Sequence, residues 1–505
     1  MIKKITSLII LLLFIISINT HATSTIFENN AVNDIDPLID LQLSVKINEI
    51  RALDEFDTFS DPDFYVKLII NDEEYFSPTW KNKKMFDEGW EKTVDVDDTK
   101  EYVNIKIQLW EDDPFGDTLC DIAKNDNDDA ERLDLDLYYS LKTGHWSGDD
   151  MIYSPHAWEP DYSGYGRGNG CDDGSIYEND KDCEIFFDIF QSDYDGDGIP
   201  YWTEVNIFET DPEVDDTGRD DDSDGVPIEW EYKWGYRLSY DHKNHTTVPV
   251  WEYDPFIAED HEELNPDMDS LNNIEEYLTS KWGSDPFRKD VFVELDEMQA
   301  GPNGEPASIL PNGSKELIKK AFNRQNIVFH LDDGEMGGSE MIPFDNQGDN
   351  TTHVECNQIY NDYFLHGNNS NWKKGVFHYG VVVYNSTWPG FNFRVGGFQI
   401  SKKHLDEKYV PNPFFSNDEA VVYGSCYMHE LGHSLGLTWL GGHVHGAGTP
   451  LHPLWWKFRP YKSIMNYGYM YGPLIWRNLV DYSDGSRGKN DFDDWSNIDF
   501  SYIKQ

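Results

Sequence analysis

The sequence has few basic residues, few cysteines and hardly any long hydrophobic runs, and each shortage argues against a class of protein. Its 505 residues include 40 Lys and Arg against 94 Asp and Glu, which gives a formal net charge of −54. Binding to nucleic acid needs a basic surface, so we expect no nucleic-acid partner. Simple electrostatic docking on anionic membranes is disfavoured for the same reason. Five cysteines are too few for a disulfide-dense scaffold, and only Cys171 and Cys183 suggest a pair.

The one long apolar run lies at the N-terminus, over residues 5–18. Lys3 and Lys4 precede it, and the small residue Ala22 follows it, which predicts a secretory signal peptide over residues 1–22. The run is shorter than the ~20 residues of a membrane-spanning helix. We therefore expect a secreted or extracellular protein, with tethering by an uncleaved N-terminal segment as the alternative.

The acidic excess is uneven along the chain and suggests several domains. Residues 1–190 hold 42 acidic and 16 basic residues, and residues 191–288 hold 27 and 6. Residues 289–505 hold 25 and 18, which is close to an ordinary balance. A hydrophobic content of 39% supplies enough apolar material for packed cores. We predict a multidomain protein in which domains over 23–190, 191–288 and 289–505 follow the signal peptide.

The first region alternates apolar and polar residues, as half-buried strands do. The pattern covers residues 41–47, 64–70 and 103–110, with turn-rich segments between them. It predicts an antiparallel β-sandwich. Two of the intervening loops, 54–62 and 111–117, are crowded with carboxylates that repel one another unless a cation lies among them.

The residues of these loops resemble the C-two (C2) family of calcium-binding β-sandwiches. In that family a Ser-Asp-Pro stretch leads into a Tyr-Val-Lys strand, and a Trp followed by spaced acids forms a second loop. The resemblance implies calcium-dependent contact with a surface or a lipid. It also implies calcium ligands at Asp54, Asp61, Glu111 and Asp113, although the second loop is short and opens with Glu.

The second region repeats the calcium-loop pattern D-x-D-x-D-G-x5-E. Positions 1, 3, 5 and 12 of this pattern supply side-chain oxygens, position 7 supplies a carbonyl, and Gly at position 6 permits a sharp turn. Two copies match fully and a third has Ser270 in place of Gly. The predicted calcium ligands are Asp193, Asp195, Asp197, Ile199 and Glu204 in the first copy, Asp220, Asp222, Asp224, Val226 and Glu231 in the second, and Asn265, Asp267, Asp269, Leu271 and Glu276 in the third.

Each copy is followed by an aromatic-rich segment that predicts a short helix and then by Asp-Pro. This arrangement resembles thrombospondin type 3 and dockerin-like repeats, which are EF-hand-type loops with reduced helices. The resemblance implies a calcium-stabilised structural spacer over residues 191–288.

The third region contains the sequence His429-Glu430-Leu431-Gly432-His433. The apolar residues before it predict a helix, on which His429 and His433 share one face and can reach one metal ion. Glu430 is adjacent and can accept a proton from a water held by zinc, whose pKa zinc lowers toward 7. The motif predicts a zinc hydrolase, in which Glu430 is the general base.

Two further stretches resemble the metzincin peptidases. Gly436 stands where that family ends its active-site helix, and Ser463-Ile464-Met465-Asn466-Tyr467 is similar to its Met-turn. The resemblance covers residues 289–505 and implies a mixed α/β peptidase domain. It implies that Met465 lies under the zinc site and that Tyr467 hydrogen-bonds to the reaction intermediate.

The third zinc ligand departs from the metzincin pattern. The position three residues after Gly436 is Trp439, which cannot ligate zinc. A longer loop after Gly436 brings other histidines into consideration, and His443 is the predicted third ligand because it is the first of them, directly after Gly441-Gly442. His445 and the more distant His452 remain alternatives.

Strand patterns over 290–295, 327–331 and 380–384 and a helix over 315–324 complete the predicted domain. Residues 396–400 are expected to form the edge strand along which a protein or peptide substrate pairs. The sequence therefore predicts a secreted zinc metalloendopeptidase stabilised by calcium. The alternative is a calcium-dependent adhesion or surface-binding protein with an inactive peptidase domain.

Overall fold

The computed structural model describes the greater part of the chain from residue 34 onward. The described ranges are 34–52, 56, 61–83, 85–86, 89–113, 116–123, 133–149, 166–170, 181–241, 246–251, 253–284, 286–323, 325, 327–344, 350–408, 419–437, 451–470 and 479–505. They divide into two units: an N-terminal unit of the described residues up to 149 with 166–170, 181–217, 237–241 and 246–249, and a C-terminal unit of 218–236 and the described residues from 250 onward. The three copies of the calcium-loop pattern, over residues 193–204, 220–231 and 265–276, are called the first, second and third acidic loops. The division falls inside the predicted 191–288 region, since the first acidic loop belongs to the N-terminal unit.

Two antiparallel sheets form the N-terminal unit. One has the strand order β10-β11-β1, with β4 and β5 both pairing with β1, and the other has the order β3-β2-β6-β8-β9, with β7 beside β6. The strands are β1 (Gln42–Ala52), β2 (Phe64–Ile70), β3 (Glu73–Phe76), β4 (Met85–Phe86), β5 (Trp90–Asp95), β6 (Tyr102–Glu111), β7 (Thr118–Leu119), β8 (Leu135–Ser140), β9 (Trp146–Gly148), β10 (Gly166–Asn169) and β11 (Cys183–Gln191).

Alternation along the strands builds the sandwich core. In β2 every second side chain is buried, so that Phe64, Val66, Leu68 and Ile70 point inward. These side chains join those of β1, β6, β8 and β11 in one apolar cluster. The predicted antiparallel β-sandwich is confirmed, because period-2 patterning fixes which face of each strand is buried.

Short helices follow the acidic loops, as predicted. The first loop leads into α1 (Tyr201–Thr203) and a π-helical turn over Glu204–Phe208, and the second leads into α2 (Ile228–Gly235). A two-stranded antiparallel pair, β12 (Tyr236–Asp241) and β13 (Thr246–Trp251), comes next. The third loop leads into α3 (Asn273–Thr279), whose N-cap Asn272 forms a capping box with Glu275.

A mixed sheet is the centre of the C-terminal unit. Its strand order is β15-β14-β17-β19-β18, with β16 beside β14, and every pairing is parallel except that of β18 with β19. The elements are β14 (Asp290–Met298), α4 (Asn312–Asn323), β15 (Val328–Asp332), β16 (Met341–Ile342), α5 (His353–Ile359), β17 (Phe377–Val383), β18 (Gly390–Arg394), β19 (Gly397–Ser401), α6 (Lys402–Lys408), α7 (Glu419–Ser434) and α8 (Pro453–Lys457).

The strand expected at the sheet edge is an interior strand. Residues 396–400 fall mostly in β19, which lies between β17 and β18, so the edge prediction is wrong. The edge belongs to β18, which pairs only with β19 among the described strands and runs antiparallel to it. The hydrophobic pattern could not show which of β18 and β19 is the edge strand, because both carry apolar residues.

Both faces of the mixed sheet are covered. Val291, Val293 and Leu295 of β14 join a cluster with α4 and α7, whereas Phe292 joins a second cluster with α5 and the π-helical turn Tyr360–Phe364. The predicted mixed α/β architecture of the third region is confirmed. Among the described residues, no helix has the length and apolar character to cross a membrane.

Candidate functional site

The helix α7 carries the motif from His429 to His433 and ends at a glycine. Gly436 has a φ of +84°, and its N–H donates to the carbonyl of His433 at 3.2 Å while the N–H of Leu437 donates to the carbonyl of Gly432 at 2.9 Å. These two bonds are those of a Schellman cap. The cap turns the chain back immediately after His433, as the sequence predicted for this glycine.

The two histidine rings lie together at the C-terminal end of α7. The ring centroids of His429 and His433 are 4.7 Å apart, with an interplanar angle of 83°. His429 Nδ1 lies 2.9 Å from the carbonyl oxygen of Ile464, and His433 Nδ1 lies 3.0 Å from that of Leu437. A carbonyl can only accept, so each Nδ1 donates and the lone pair of each neutral ring is on Nε2. This is the tautomer of a metal-ligating histidine.

Glu430 lies beside this pair and is buried. Its side chain packs against β18, since a Cβ built on Gly390 would lie only 2.5 Å from Glu430 Oε1. Burial alone raises the pKa of Glu430 to about 8, because a charged carboxylate loses its hydration there. A cation next to this carboxyl group would favour its ionised form and lower that pKa.

The turn that carries Met465 lies under α7. Ser463 Oγ accepts the N–H of Met465 at 3.0 Å, and the Asn466 side chain donates to the carbonyls of Phe458 and Tyr461. The same turn supplies the Ile464 carbonyl that holds His429. The structure thus brings the two separate sequence motifs together.

Tyr467 faces the histidines from the same turn. Its ring stacks on His429 with a centroid distance of 5.5 Å. Burial and the nearby Glu430 raise the pKa of its hydroxyl group. Tyr467 therefore stays a proton donor at neutral pH.

The candidates for the third zinc ligand are only partly described. Trp439, His443 and His445 lie in residues 438–450, outside the described residues, so the choice of His443 stays a prediction. His452 is described, and its Nδ1 accepts the N–H of Leu454 at 3.2 Å as the N-cap of α8. That contact assigns His452 a structural role.

The first acidic loop brings its predicted carboxylates together. Asp193 Oδ2 accepts the N–H groups of Gly196 and Gly198 at 3.1 and 3.0 Å. Ligand oxygens of Asp193, Asp195 and Asp197 lie within 4.8 Å of one another, as do those of Asp197, Glu204 and Asp216. The loop therefore groups carboxylates that could hold a cation, and one of them, Asp216, is missed by the sequence pattern.

The second and third loops repeat this arrangement. The predicted side chains cluster in both loops, and the second loop adds Glu259 and His261, which lie outside the pattern. The clusters are Asp220, Asp222 and Asp224, then Asp224, Glu231, Glu259 and His261, and finally Asp267, Asp269 and Glu276. The third loop departs from the others at Ser270, which does not share the positive φ of Gly198 and Gly225.

One hydrogen bond recurs in all three loops. The carboxylate at position 5 accepts a backbone N–H from a later acidic residue, at 3.3 Å between Asp197 and Asp216, 3.0 Å between Asp224 and Glu259, and 2.8 Å between Asp269 and Asp290. These acids follow position 5 at separations of 19, 35 and 21 residues. Because this separation varies, no fixed spacing in the sequence could have predicted these three acidic residues.

The glutamates at position 12 are strongly perturbed. Burial, followed by the neighbouring aspartates, raises the pKa of Glu204 to about 8 and that of Glu231 to about 9, and it raises the pKa of Glu276 well above the ordinary value. One carboxylate oxygen of each is buried with no hydrogen-bond partner among the described residues. A divalent cation would satisfy these oxygens and offset the repulsion.

The predicted ligands of the β-sandwich loops are less complete. Asp61 precedes β2, and Glu111, which is buried, ends the adjacent strand β6, paired with Phe64. Asp113 follows in the next loop, and Asp54 lies outside the described residues. Within the described ranges, none of the clusters able to hold a metal ion includes Asp61, Glu111 or Asp113, so this ligand set stays a prediction.

No protein-family model matches the sequence, and no curated protein matches it. Among solved structures, the chain is similar to human GIVD cytosolic phospholipase A2, with 13% identity and a TM-score of 0.17 over 30% of this chain and 17% of that chain. It is also similar to an isolated C2 domain at 12% identity and to a C2 domain of plant extended synaptotagmin 1 at 11%. Both matches have a TM-score of 0.17 over 30% of this chain, and they span 98% and 94% of those chains. The chain thus spans about a sixth of the phospholipase chain, and similarity at this TM-score carries no conclusion for this chain.

Proposed function

We propose that the chain is a zinc-dependent endopeptidase, secreted as its N-terminal sequence predicts, with calcium-binding loops that stabilise the chain before the peptidase region. The observation that carries the proposal is the pair His429 and His433, each with Nδ1 donating to a carbonyl, beside the buried Glu430. Two imidazoles and an adjacent carboxyl group are a donor set that suits zinc.

In this proposal His429 and His433 hold zinc together with a histidine from residues 438–450. When bound, zinc supplies Lewis acidity that polarises a peptide carbonyl and acidifies water. Glu430 accepts a proton from the attacking water and passes it to the leaving amine. The closeness of Glu430 to Gly390 fixes the position of its carboxyl group.

The remaining residues bind and orient the substrate. The edge strand β18 begins at Gly390, which contacts Glu430, so a peptide pairing along β18 would pass the general base. The protonated hydroxyl of Tyr467 is positioned on the histidine side of the site to donate a hydrogen bond to the developing oxyanion.

The test combines metal analysis with cleavage of an unstructured protein substrate such as casein. We expect His429→Ala and His433→Ala to lose the zinc ion held by the histidine pair on α7, which is one ion per chain, and to lose activity. Glu430→Gln should retain zinc and lose activity by about 10²- to 10⁴-fold, the range typical of a general base. His366→Asn, at an exposed histidine, is the matched control and should behave as the parent protein.

The proposal is overturned if Glu430→Gln cleaves casein as fast as the parent. A purified chain without zinc and without activity that binds cell surfaces in the presence of calcium would instead support the adhesion alternative.

A further inference from the structure

A buried imidazole, that of His261, lies against the carboxylates of the second acidic loop. The His261 side chain has 0% exposure, and its Nε2 lies 3.1 Å from Asp224 Oδ2, 3.8 Å from Glu259 Oε2 and 4.0 Å from Glu231 Oε1. Within the described part of the chain, His261 Nε2, Glu231 Oε1 and Glu259 Oε2 are buried and have no hydrogen-bond partner. His261 Nε2 is thus within ion-pair distance of Asp224 Oδ2, which also accepts the N–H of Glu259, whereas Glu231 Oε1 and Glu259 Oε2 converge on the same point without a hydrogen bond from any described residue.

The other ring nitrogen of His261 contacts an amide. His261 Nδ1 lies 2.9 Å from the side-chain nitrogen of Asn273, whose Oδ1 is buried without a partner. Rotation of this amide by half a turn places Oδ1 on the Nδ1–H group and satisfies both. The ring then carries its lone pair on Nε2, aimed at the three carboxylates. A ligating histidine is commonly oriented by such a contact.

The first and third loops supply an internal comparison. In each loop an acidic residue donates its backbone N–H to the position-5 carboxylate, namely Asp216, Glu259 and Asp290. Two residues beyond these acids stand Gly218, His261 and Phe292 respectively. Among the clusters formed by the described residues, only that of the second loop includes a histidine.

The nitrogen ligand changes the preferred ion. Calcium and magnesium take oxygen ligands, whereas a mixed imidazole and carboxylate set suits zinc and other divalent first-row metals. The four donor atoms lie within 4.8 Å of one another, which is close enough for one ion after small side-chain adjustments. We propose that Asp224, Glu231, Glu259 and His261 form a zinc site that is separate from the histidine pair on α7, so that Asp224 and Glu231 bind zinc rather than the calcium ion that the loop pattern predicts for them.

This site would have a structural role. Four protein ligands fill a tetrahedral zinc site and leave no position open for a substrate. The ion would join the start of α2, through Glu231, to the segment at 259–261 that precedes the third loop. The second loop would thus link residues distant in sequence.

The experiment uses the full chain with His429→Ala and His433→Ala, so that zinc at the α7 pair does not contribute. The protein is purified in excess calcium, and metals are counted by mass spectrometry. We expect about one zinc per chain with one imidazole in its coordination shell by X-ray absorption. Adding His261→Gln should weaken zinc binding at least about tenfold, because an amide oxygen replaces the ring nitrogen.

Glu204→Gln, which alters the first loop, is the matched control and should leave the zinc count unchanged. The proposal is overturned if the protein with His429→Ala and His433→Ala holds no zinc, or if X-ray absorption shows no imidazole ligand on its zinc. The X-ray absorption result decides the question even where His261→Gln fails to fold. Failure of the endopeptidase proposal looks different, since the unmodified chain and the His429/His433 variant would then hold equal zinc.

Discussion

Gly432 lies directly over Met465. A Cβ built on Gly432 would fall 2.7 Å from Met465 Sδ and 2.9 Å from Tyr482 Oη. This approach brings α7 close to the turn whose Ile464 carbonyl receives a hydrogen bond from His429. The absence of a side chain at one helical position thus couples the two motifs of the proposed peptidase site.

Gly432→Ala should destabilise the C-terminal unit. The added methyl group overlaps Met465, and overpacking of a core typically costs about 1–3 kcal/mol. Urea unfolding of Gly432→Ala, Met465→Ala and the double variant measures the coupling. We expect Gly432→Ala to lower the free energy of unfolding by less in the Met465→Ala background than in the parent protein. Equal costs in the two backgrounds would contradict the contact.

Gly390→Ala should reduce catalysis without removing zinc. Its Cβ would meet Glu430 Oε1 at 2.5 Å, so the carboxyl group of the proposed general base must move, and small misplacements of a catalytic group cost about 10²-fold in rate. Gly424→Ala is the control on α7, because its nearest neighbour, Ser314, lies at an ordinary 3.4 Å. The measurements are kcat on casein and zinc content; a normal kcat for Gly390→Ala would show that Glu430 is not held by β18.

Removal of calcium should loosen the acidic loops first. Their buried glutamate oxygens and crowded aspartates would then repel unscreened. The experiment uses Glu430→Gln, so that the proposed peptidase cannot cleave itself. Trypsin should cut after Arg219 at least about tenfold faster in the chelated protein than in the calcium-loaded protein, because local opening exposes the chain. Magnesium in place of calcium should protect poorly. An unchanged cutting rate would show that the loops are not stabilised by calcium.

The calcium-free protein should lose stability as the pH rises. The folded pKa values of Glu204 and Glu231 are raised from 4.5 to about 8 and about 9. Between pH 4.5 and about pH 9 these two glutamates bind more protons in the folded chain than in the unfolded chain. The free energy of unfolding therefore falls as the pH increases.

Melting at pH 5, 7 and 9 checks this pH dependence. About 1 kcal/mol shifts the midpoint by about 2–4 °C in units of this size. Glu204→Gln with Glu231→Gln should flatten the dependence. Saturating calcium together with zinc should abolish the loss at high pH, because these ions bind the ionised carboxylates of the first and second loops. A midpoint that rises from pH 5 to pH 9 without calcium would contradict the assignment.

Local pattern was enough to predict several features. Alternation predicted β2 over residues 64–70 as observed, and the metzincin resemblance implied that α7 ends at Gly436. The loop pattern predicted the carboxylates of each acidic loop, because these ligands are fixed by short spacing along the chain.

Only the tertiary structure decided the contacts between distant residues. It made β18 rather than residues 396–400 the sheet edge, placed Gly390 against Glu430, and brought Glu259 and His261 to the second loop. Such neighbours follow from how strands order and loops fold back, and no periodicity records them. A histidine 37 positions beyond Asp224 carries no signal in the sequence; it becomes a candidate ligand because its ring is buried among three carboxylates.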